Sequence, residues 1–266
     1  IRIFTGAPMP TGPETVMMQE DCTEQDGIVT IAPGIKSGAN CRSAGEDVTA
    51  GQIVLRRGLR LRPQEIGMAE AVGRTELQVY QKISVAVFST GDEVGEPGTD
   101  LSPGKIYDSN RFISITALER LGCVVEDLGI LPDRPEKIGN AIRQAATDHD
   151  LIVTSGGMSV GEEDHVRKAV QDNGTLHFWR LAIKPGRPVS LGQIRAGDRT
   201  AAFVGLPGNP VAAMVTFLLI GRPLALRLGG ATEIAPTVYQ VPADFSYKKK
   251  LDRREYVRAC LFTGSD

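Results

Sequence analysis

Apolar and polar positions change rhythm three times along the chain. Over residues 1–55 apolar residues come in short runs, at 15–18, 28–31 and 53–55, separated by Gly, Pro and Asp clusters. That punctuation predicts short strands joined by loops. From 62 to 73 the spacing turns helical. Pro63 and Glu65 occupy a first turn, Ile66, Met68, Ala69 and Val72 follow, and Gly73 stands just past the end. Start and stop signals together predict a helix.

From residue 84 the rhythm becomes strand, loop, helix, repeated. The compact apolar run at 85–88 suits a strand buried on both faces. Further strands are predicted at 124–130, 151–153 and 201–204, with an extended stretch at 176–183. Helices are predicted at 110–121, 135–146, 163–170 and 210–226. The alternation predicts a three-layer α/β/α domain on a mostly parallel sheet, flanked by smaller β-rich domains. In that architecture ligands sit outside the carboxyl ends of the strands. After Gly229-Gly230 the segments 237–241 and 255–261 alternate like half-exposed strands, with Lys248-Lys249-Lys250 between them. The expected division is a β-rich domain at 1–55, a linking helix and strand region at 56–82, the α/β domain at 83–230, and the start of a second β domain at 231–266. The chain opens on Ile1 in a loop-like stretch and stops just after a strand-like run. It is therefore expected to be part of a longer protein, incomplete at both ends.

Composition narrows the function. With 266 residues, 41% hydrophobic and 23% charged, the chain reads as an ordinary globular protein, long enough for two or three domains or one large one. A net charge of -2 argues against a nucleic-acid partner, which calls for a clustered basic surface. Cys22, Cys41, Cys123 and Cys260 lie far apart with no C-x-x-C spacing, so they read as isolated thiols of a cytoplasmic protein rather than a zinc site. No apolar run reaches the ~18 residues of a membrane span. The longest, 211–220, reads as a buried helix, and no signal peptide is expected before the first residues.

The chemistry concentrates in four loops that follow the predicted strands. They are 89–94 (Ser-Thr-Gly-Asp-Glu-Val), 155–164 (Ser-Gly-Gly-Met-Ser-Val-Gly-Glu-Glu-Asp), 183–188 (Ile-Lys-Pro-Gly-Arg-Pro) and 205–210 (Gly-Leu-Pro-Gly-Asn-Pro). Glycines at a strand end let backbone N–H groups approach a ligand, and a helix start adds unpaired N–H groups. Ser155, Gly156, Gly157 and Ser159 could cup a phosphate. Asn209 can cap a helix whose first position suits Pro210. Neither loop is a P-loop or G-x-G-x-x-G. Lys184 and Arg187 flank a Pro-Gly turn with Arg180 upstream, and could hold an oxyanion, though solvated surface cations read the same way. Glu93, Asp133 and Asp164 each stand at or just past a strand end. Acids beside phosphates repel them unless a divalent cation bridges the two, which suggests Mg²⁺-assisted chemistry on a phosphoanhydride. Plainer roles stay open: Glu163 and Asp164 as complements of a helix dipole, Asp133 as a turn residue before Pro135.

Six motifs in order carry a resemblance: Thr-Gly-Ala-Pro-Met-Pro (5–10), Gly-Glu-Asp-Val (45–48), Ser-Thr-Gly-Asp-Glu (89–93), Ser-Gly-Gly-Met-Ser-Val-Gly (155–161), Lys-Pro-Gly-Arg-Pro (184–188) and Leu-Pro-Gly-Asn-Pro (206–210). From about 3 to 230 the chain resembles the molybdopterin molybdenumtransferase (MoeA) family, which includes the E domain of gephyrin. The resemblance implies an elongated homodimer that takes adenylylated molybdopterin and molybdate, hydrolyses the anhydride with release of AMP, and leaves molybdenum on the dithiolene. It implies functional roles at Thr5, Asp47, Glu93, Asp133, Asp164, Lys184, Pro207 and Pro210. Glu93, Asp133 and Asp164 would place Mg²⁺ and orient the attacking oxygen. Lys184 and Arg180 would hold molybdate or phosphate, residues 207–210, with Gly208 and Asn209, would present a helix N-terminus, and Thr5 and Asp47 would act from the partner subunit. Arg180 falls where a bacterial member carries Lys, which keeps the charge and changes the geometry. Two other readings share the α/β unit. One is a molybdopterin adenylyltransferase or nucleotide pyrophosphatase, the former also a possible upstream partner. The other is a non-catalytic scaffold of the gephyrin kind.

Overall fold

The computed structural model describes residues 1–157, 165–178 and 180–262. Contacts divide it into two units, Ile1–Arg56 with Gln64–Gly73, and Arg57–Pro63 with Arg74–Asp266.

The first unit holds one hairpin. Strands β1 (Cys22–Gln25) and β2 (Ile28–Ile31) pair antiparallel from Cys22↔Ile31 to Gln25↔Ile28. Asp26 and Gly27 form the turn with φ of 52° and 76°, the positive values that let a two-residue loop follow the strand twist. The runs at 15–18 and 53–55 are not strands, contrary to their apolar pattern. Around Val16 the backbone is stitched to a turn instead: its N–H bonds the Ala39 carbonyl at 3.0 Å, and Asn40 Nδ2 donates to its carbonyl at 2.8 Å. Helix α1 (Pro63–Ala71) follows the sequence expectation.

The second unit runs β3 (Ser84–Thr90), β4 (Val94–Gly95), β5 (Ile106–Tyr107), α2 (Asn110–Arg120), β6 (Val124–Leu131), α3 (Pro135–Asp148), β7 (Leu151–Ser155), α4 (His165–Asn173), β8 (Gly174–Phe178), β9 (Ile183–Lys184), β10 (Ser190–Ala196), β11 (Arg199–Leu206), α5 (Pro210–Thr216), α6 (Arg222–Leu228) and β12 (Arg254–Glu255). Its main sheet has the order β6-β3-β7-β11-β10-β8. Pairs β3/β6, β3/β7 and β7/β11 are parallel. Strand β10 runs antiparallel to both β11 and β8.

Strand β10 carried no signal in the apolar pattern. Its inward positions are Ser190, Gly192 and Ile194, so only one of three is a large apolar residue. The expected strand at 237–241 does not form, and the one at 255–261 shrinks to β12, a two-residue parallel pair with β9. Pro185 follows β9 and lacks the N–H to extend the ladder.

Strands β3 and β7 are buried on both faces, which is why they read as unbroken apolar runs. Phe88, Ile152 and Phe203 face Ile138 and Ile142 of α3 and Val166 and Val170 of α4. Val85, Val87, Val153 and Leu206 face Leu118 of α2 and Ala213 of α5, with Phe217 beyond.

The 210–228 helix is longer than its apolar run predicted. Helix α5 passes through a π-helical turn at Phe217–Gly221 into α6, giving a 19-residue helix with an 18-residue window of mean hydropathy 1.7. By length and composition alone it passes for a membrane span, as the core helix of a globular domain also does; the uninterrupted apolar run still stops at 211–220, because Arg222 and Arg227 break it. Arg222-Pro223 does not end the helix, because Pro223 sits in the first turn of α6, where its missing N–H costs least. Ala213, Phe217 and Ala225 pack into the second core cluster.

Candidate functional site

Four of the expected loops gather along one edge of the sheet, and the strand order explains how. Strands β6, β3, β7 and β11 run in parallel, so their carboxyl ends share that edge. Strand β10 runs the other way, with Ser190 beside Gly205. The segment before it, carrying Lys184 and Arg187, therefore enters at the same edge. Read across the sheet, the edge presents Asp133 after β6, Glu93 after β3, Gly156 and Gly157 after β7, residues 207–210 after β11, and the cations before β10.

At the centre, the β3 and β7 ends are locked. The buried hydroxyls of Ser89 and Ser155 hydrogen-bond at 2.9 Å. Gly156 has φ +85°, and a Cβ there would overlap the Thr90 carbonyl oxygen. No side chain fits this crossing, so the backbone stays bare for a ligand. Gly208 comes within 4.0 Å of the same spot, measured from its Cβ direction to Gly156 Cα. The 207–210 loop is thus next to the glycine pair. Asn209 Oδ1 accepts from the N–H groups of Val211 at 3.1 Å and Ala212 at 3.2 Å, as its expected capping role requires. Pro207 is buried, while Gly208, Asn209 and Pro210 are exposed.

The acids sit toward β6. Thr90 Oγ1 donates to Asp133 Oδ1 at 3.3 Å, which ties the ends of β3 and β6. The Glu93 carboxylate lies over Gly91: a Cβ on Gly91 would be 2.7 Å from Glu93 Oε2. Glu93 is exposed and Asp133 half-buried. Among the described residues no three His, Cys, Asp or Glu side chains form a metal-holding group. Ser159 and Asp164, the expected third acid, lie outside the described residues.

The cations sit toward β10. Arg180, Lys184 and Arg187 are exposed. Gly186 packs against Thr216 and Ala212 of α5, which seats their loop on a helix. Strand β12 holds the loop from the other side. Tyr256 N–H bonds the Lys184 carbonyl at 2.8 Å, and Arg254 N–H bonds that of Ala182 at 2.9 Å. Glu255, the register partner of Lys184, accepts from the Tyr247 hydroxyl and from Arg253 Nε. The Tyr247 bond chiefly holds the Glu255 carboxyl below its ordinary pKa, and the same bond raises that of Tyr247. Thr5 and Asp47 belong to the first unit. Thr5 is exposed on a turn, and Asp47 pairs with Arg42 at 2.7 Å, both side chains about three-quarters exposed.

Comparison with known proteins decides the family. A model described as a probable molybdopterin binding domain matches residues 86–227. The MoeA N-terminal region (domain I and II) matches residues 1–73. The chain belongs to the MoeA family. A molybdopterin molybdenumtransferase of Haemophilus influenzae is 40% identical over 98% of this chain and 64% of its own length. One of Nostoc is 34% identical over 86% of this chain and 52% of its own. The crystal structure of a molybdopterin biosynthesis MoeA protein from Pyrococcus horikoshii aligns with a TM-score of 0.62 at 31% identity, covering 82% of this chain and 53% of that one. The chain thus spans between half and two thirds of the length of these relatives.

This MoeA-family edge includes residues that the sequence reading missed. At the start of α2, Asn110 Nδ2 donates to the Gly208 carbonyl at 2.7 Å, fixing the 207–210 loop from below. Asp108 Oδ1 accepts from the Arg111 N–H at 3.2 Å and so caps α2. Arg111, 2% exposed, is ringed by Asp108, Asp127 and Glu96. Its Nε faces Asp108 Oδ2 at 3.2 Å without hydrogen-bond alignment, an ion pair held by charge alone. The polar run Tyr-Asp-Ser-Asn-Arg before an apolar helix was the available signal. Its partners at 96, 127 and 208 follow no sequence spacing.

Proposed function

We propose that this chain carries the molybdenum-insertion step of molybdenum cofactor biosynthesis. It takes adenylylated molybdopterin and molybdate, cleaves the phosphoanhydride with water, releases AMP, and leaves molybdenum on the dithiolene. The observation that carries the reading is the order of chemistry along one sheet edge: acids, bare glycine backbone, capped helix start, cations. This is what an anhydride flanked by a divalent cation on one side and an oxyanion on the other requires, and it lies within the stretch matched by the molybdopterin-binding family. Relatives named molybdopterin molybdenumtransferase add the reaction.

The donors at the acid end are oxygens only, which suits Mg²⁺. Glu93 and Asp133, with Asp164, would hold it, and when bound it supplies Lewis-acid polarisation of the anhydride. The backbone at Gly156 and Gly157 binds phosphate, and Ser155 braces it through Ser89. Lys184 acts as a point charge on molybdate, with Arg180 and Arg187 as forked donors. The enzyme works as a homodimer in which Thr5 and Asp47 complete the site across the subunit interface. A molybdopterin adenylyltransferase supplies the substrate. Four free thiols, at Cys22, Cys41, Cys123 and Cys260, fit a reducing compartment such as the cytoplasm.

The test mixes the chain with adenylylated molybdopterin and Mg²⁺ and follows AMP with and without molybdate. The expected result is AMP release that depends on molybdate, cut about a hundredfold or more in Glu93→Gln. Lys184→Ala is expected to raise the molybdate concentration needed. Release indifferent to molybdate would instead identify a pyrophosphatase, and synthesis of the adenylylated pterin from ATP an adenylyltransferase.

A further inference from the structure

The start of α2 reaches under the 207–210 loop with one side chain. Asn110 is the first residue of α2 and is 8% exposed. Its Nδ2 donates to the Gly208 carbonyl at 2.7 Å, across 98 positions of sequence. Because the partner is a carbonyl, the amide must turn its nitrogen to the loop. The base it works from is firm. Ser114 Oγ donates to the Asn110 carbonyl at 2.9 Å, and Leu118, two turns on, is fully buried in the second core cluster.

The other half of the amide is costly. Asn110 Oδ1 is buried with no hydrogen-bond partner among the described residues. A buried orphan acceptor costs at least as much as one neutral hydrogen bond returns. Gly208 is exposed, so water could satisfy its carbonyl in place of Asn110. Leucine has nearly the same shape and no polar atom to bury. For stability alone it would serve position 110 as well or better. The amide is therefore kept for something other than holding the fold.

Peptide planarity shows what that is. The Gly208–Asn209 peptide is trans, so its C=O and N–H point in opposite directions. With the carbonyl turned down to Asn110, the Asn209 N–H turns away from α2, onto the exposed face of the loop. Gly208 is next to the bare backbone of Gly156, where the phosphate is placed above. We propose that Asn110 is a positioning residue: through the Gly208 carbonyl it aims the Asn209 N–H at an oxyanion of the bound pterin phosphate. It touches no reacting atom itself. The inference rests on the molybdenum-insertion reading for its substrate.

The experiment compares the native chain with Asn110→Leu and Asn110→Asp by urea unfolding, by molybdopterin binding in ultrafiltration, and by turnover. Asn110→Leu is expected to keep the native urea midpoint and to bind molybdopterin about tenfold more weakly, the loss of one charge-assisted donor. Its KM for adenylylated molybdopterin should rise, with kcat and the molybdate requirement in place. A purely structural residue would instead lower the urea midpoint and, through the active fraction, kcat, and leave KM alone. Asn110→Asp sets a carboxylate oxygen against the Gly208 carbonyl and should bind worse than Asn110→Leu near neutral pH. A protonated carboxyl donates as the amide does, and burial favours that form. Its affinity relative to the native chain should therefore recover as pH falls, while that of Asn110→Leu stays low. Native affinity in Asn110→Leu, a lowered urea midpoint with KM unchanged, or no recovery of Asn110→Asp on acidification overturns the proposal. Absence of molybdopterin binding by the native chain overturns it together with the insertion reading. Weakened binding in Asn110→Leu, without molybdate-dependent AMP release by the native chain, upholds the role of Asn110 and removes the insertion reading.

Discussion

The two units organise apolar residues in opposite ways. In the α/β unit Phe88, Ile138, Ile142, Leu151, Ile152 and Phe203 are fully buried, and two helix layers close over both sheet faces. In the first unit the hairpin buries nothing: β2 is exposed along its whole length, and Ile28, Val29 and Ile31 stand more than half exposed. A lone two-stranded sheet has no second layer to cover it. The stretch after Gly230 sides with the first unit, with Val238, Tyr239 and Phe245 exposed. The same residue types thus anchor one region and coat the other, and layer count is what separates the outcomes.

The widest separation should come from paired truncations. Phe203→Ala is expected to lower stability by about 3–5 kcal/mol, whereas Ile28→Ala should change it by about 0.5 kcal/mol or less. Urea unfolding followed by circular dichroism reads both. Equal losses would mean that the hairpin is packed as the core is. Of similar size is the charge cluster at α2. Arg111→Met leaves Asp108, at 3% side-chain exposure, without its cation and should cost about 3–5 kcal/mol. Arg42→Met, on the exposed pair with Asp47, should cost about 1 kcal/mol at most. A smaller loss, about 1 kcal/mol, is expected for Asn209→Ala, which removes the cap from α5. It should also weaken pterin binding, which Asn40→Ala in the first unit should not.

The smallest effect concerns the thin C-terminal stretch. Glu255, ordinarily near 4.5, is held lower, first by the Tyr247 hydroxyl and then by Arg253. A depressed carboxylate stabilises above its unfolded pKa, and the benefit fades as pH falls through the folded value. Tyr247, ordinarily at 10.0, is raised by the same bond, so its share fades as pH climbs through its folded value. The contact should therefore be whole between 4.5 and 10.0, opening only as pH falls further through the lowered Glu255 value or climbs further through the raised Tyr247 value. Hydrogen exchange at the Tyr256 N–H, bonded to Lys184, would report the opening, and Tyr247→Phe should flatten the dependence.

Local pattern alone was enough for the elements whose burial is one-sided or complete. Strands β3 and β7 read as apolar runs because both faces are covered, and α1, α2 and α3 announced themselves by Pro, periodicity and trailing Gly. The loops were legible for the same reason, since glycine at a strand end is a backbone statement that needs no partner. Hence Gly156, Gly157, Asn209, Glu93 and Lys184 could be named in advance. Other features depended on distant residues. Strand β10 is held by its neighbours with Ser190 and Gly192 facing in, so it has no apolar signature of its own. The antiparallel course of β10 is what carries Lys184 to the edge where β3, β6, β7 and β11 end. Arg111 among Glu96, Asp108 and Asp127, and Asn110 on the Gly208 carbonyl, exist only once the β4–β5 ladder and the α2 start have closed. Short-range chemistry is written in the order of residues. The convergence of residues that lie between positions 90 and 210 is set by strand order, which tertiary packing alone decides.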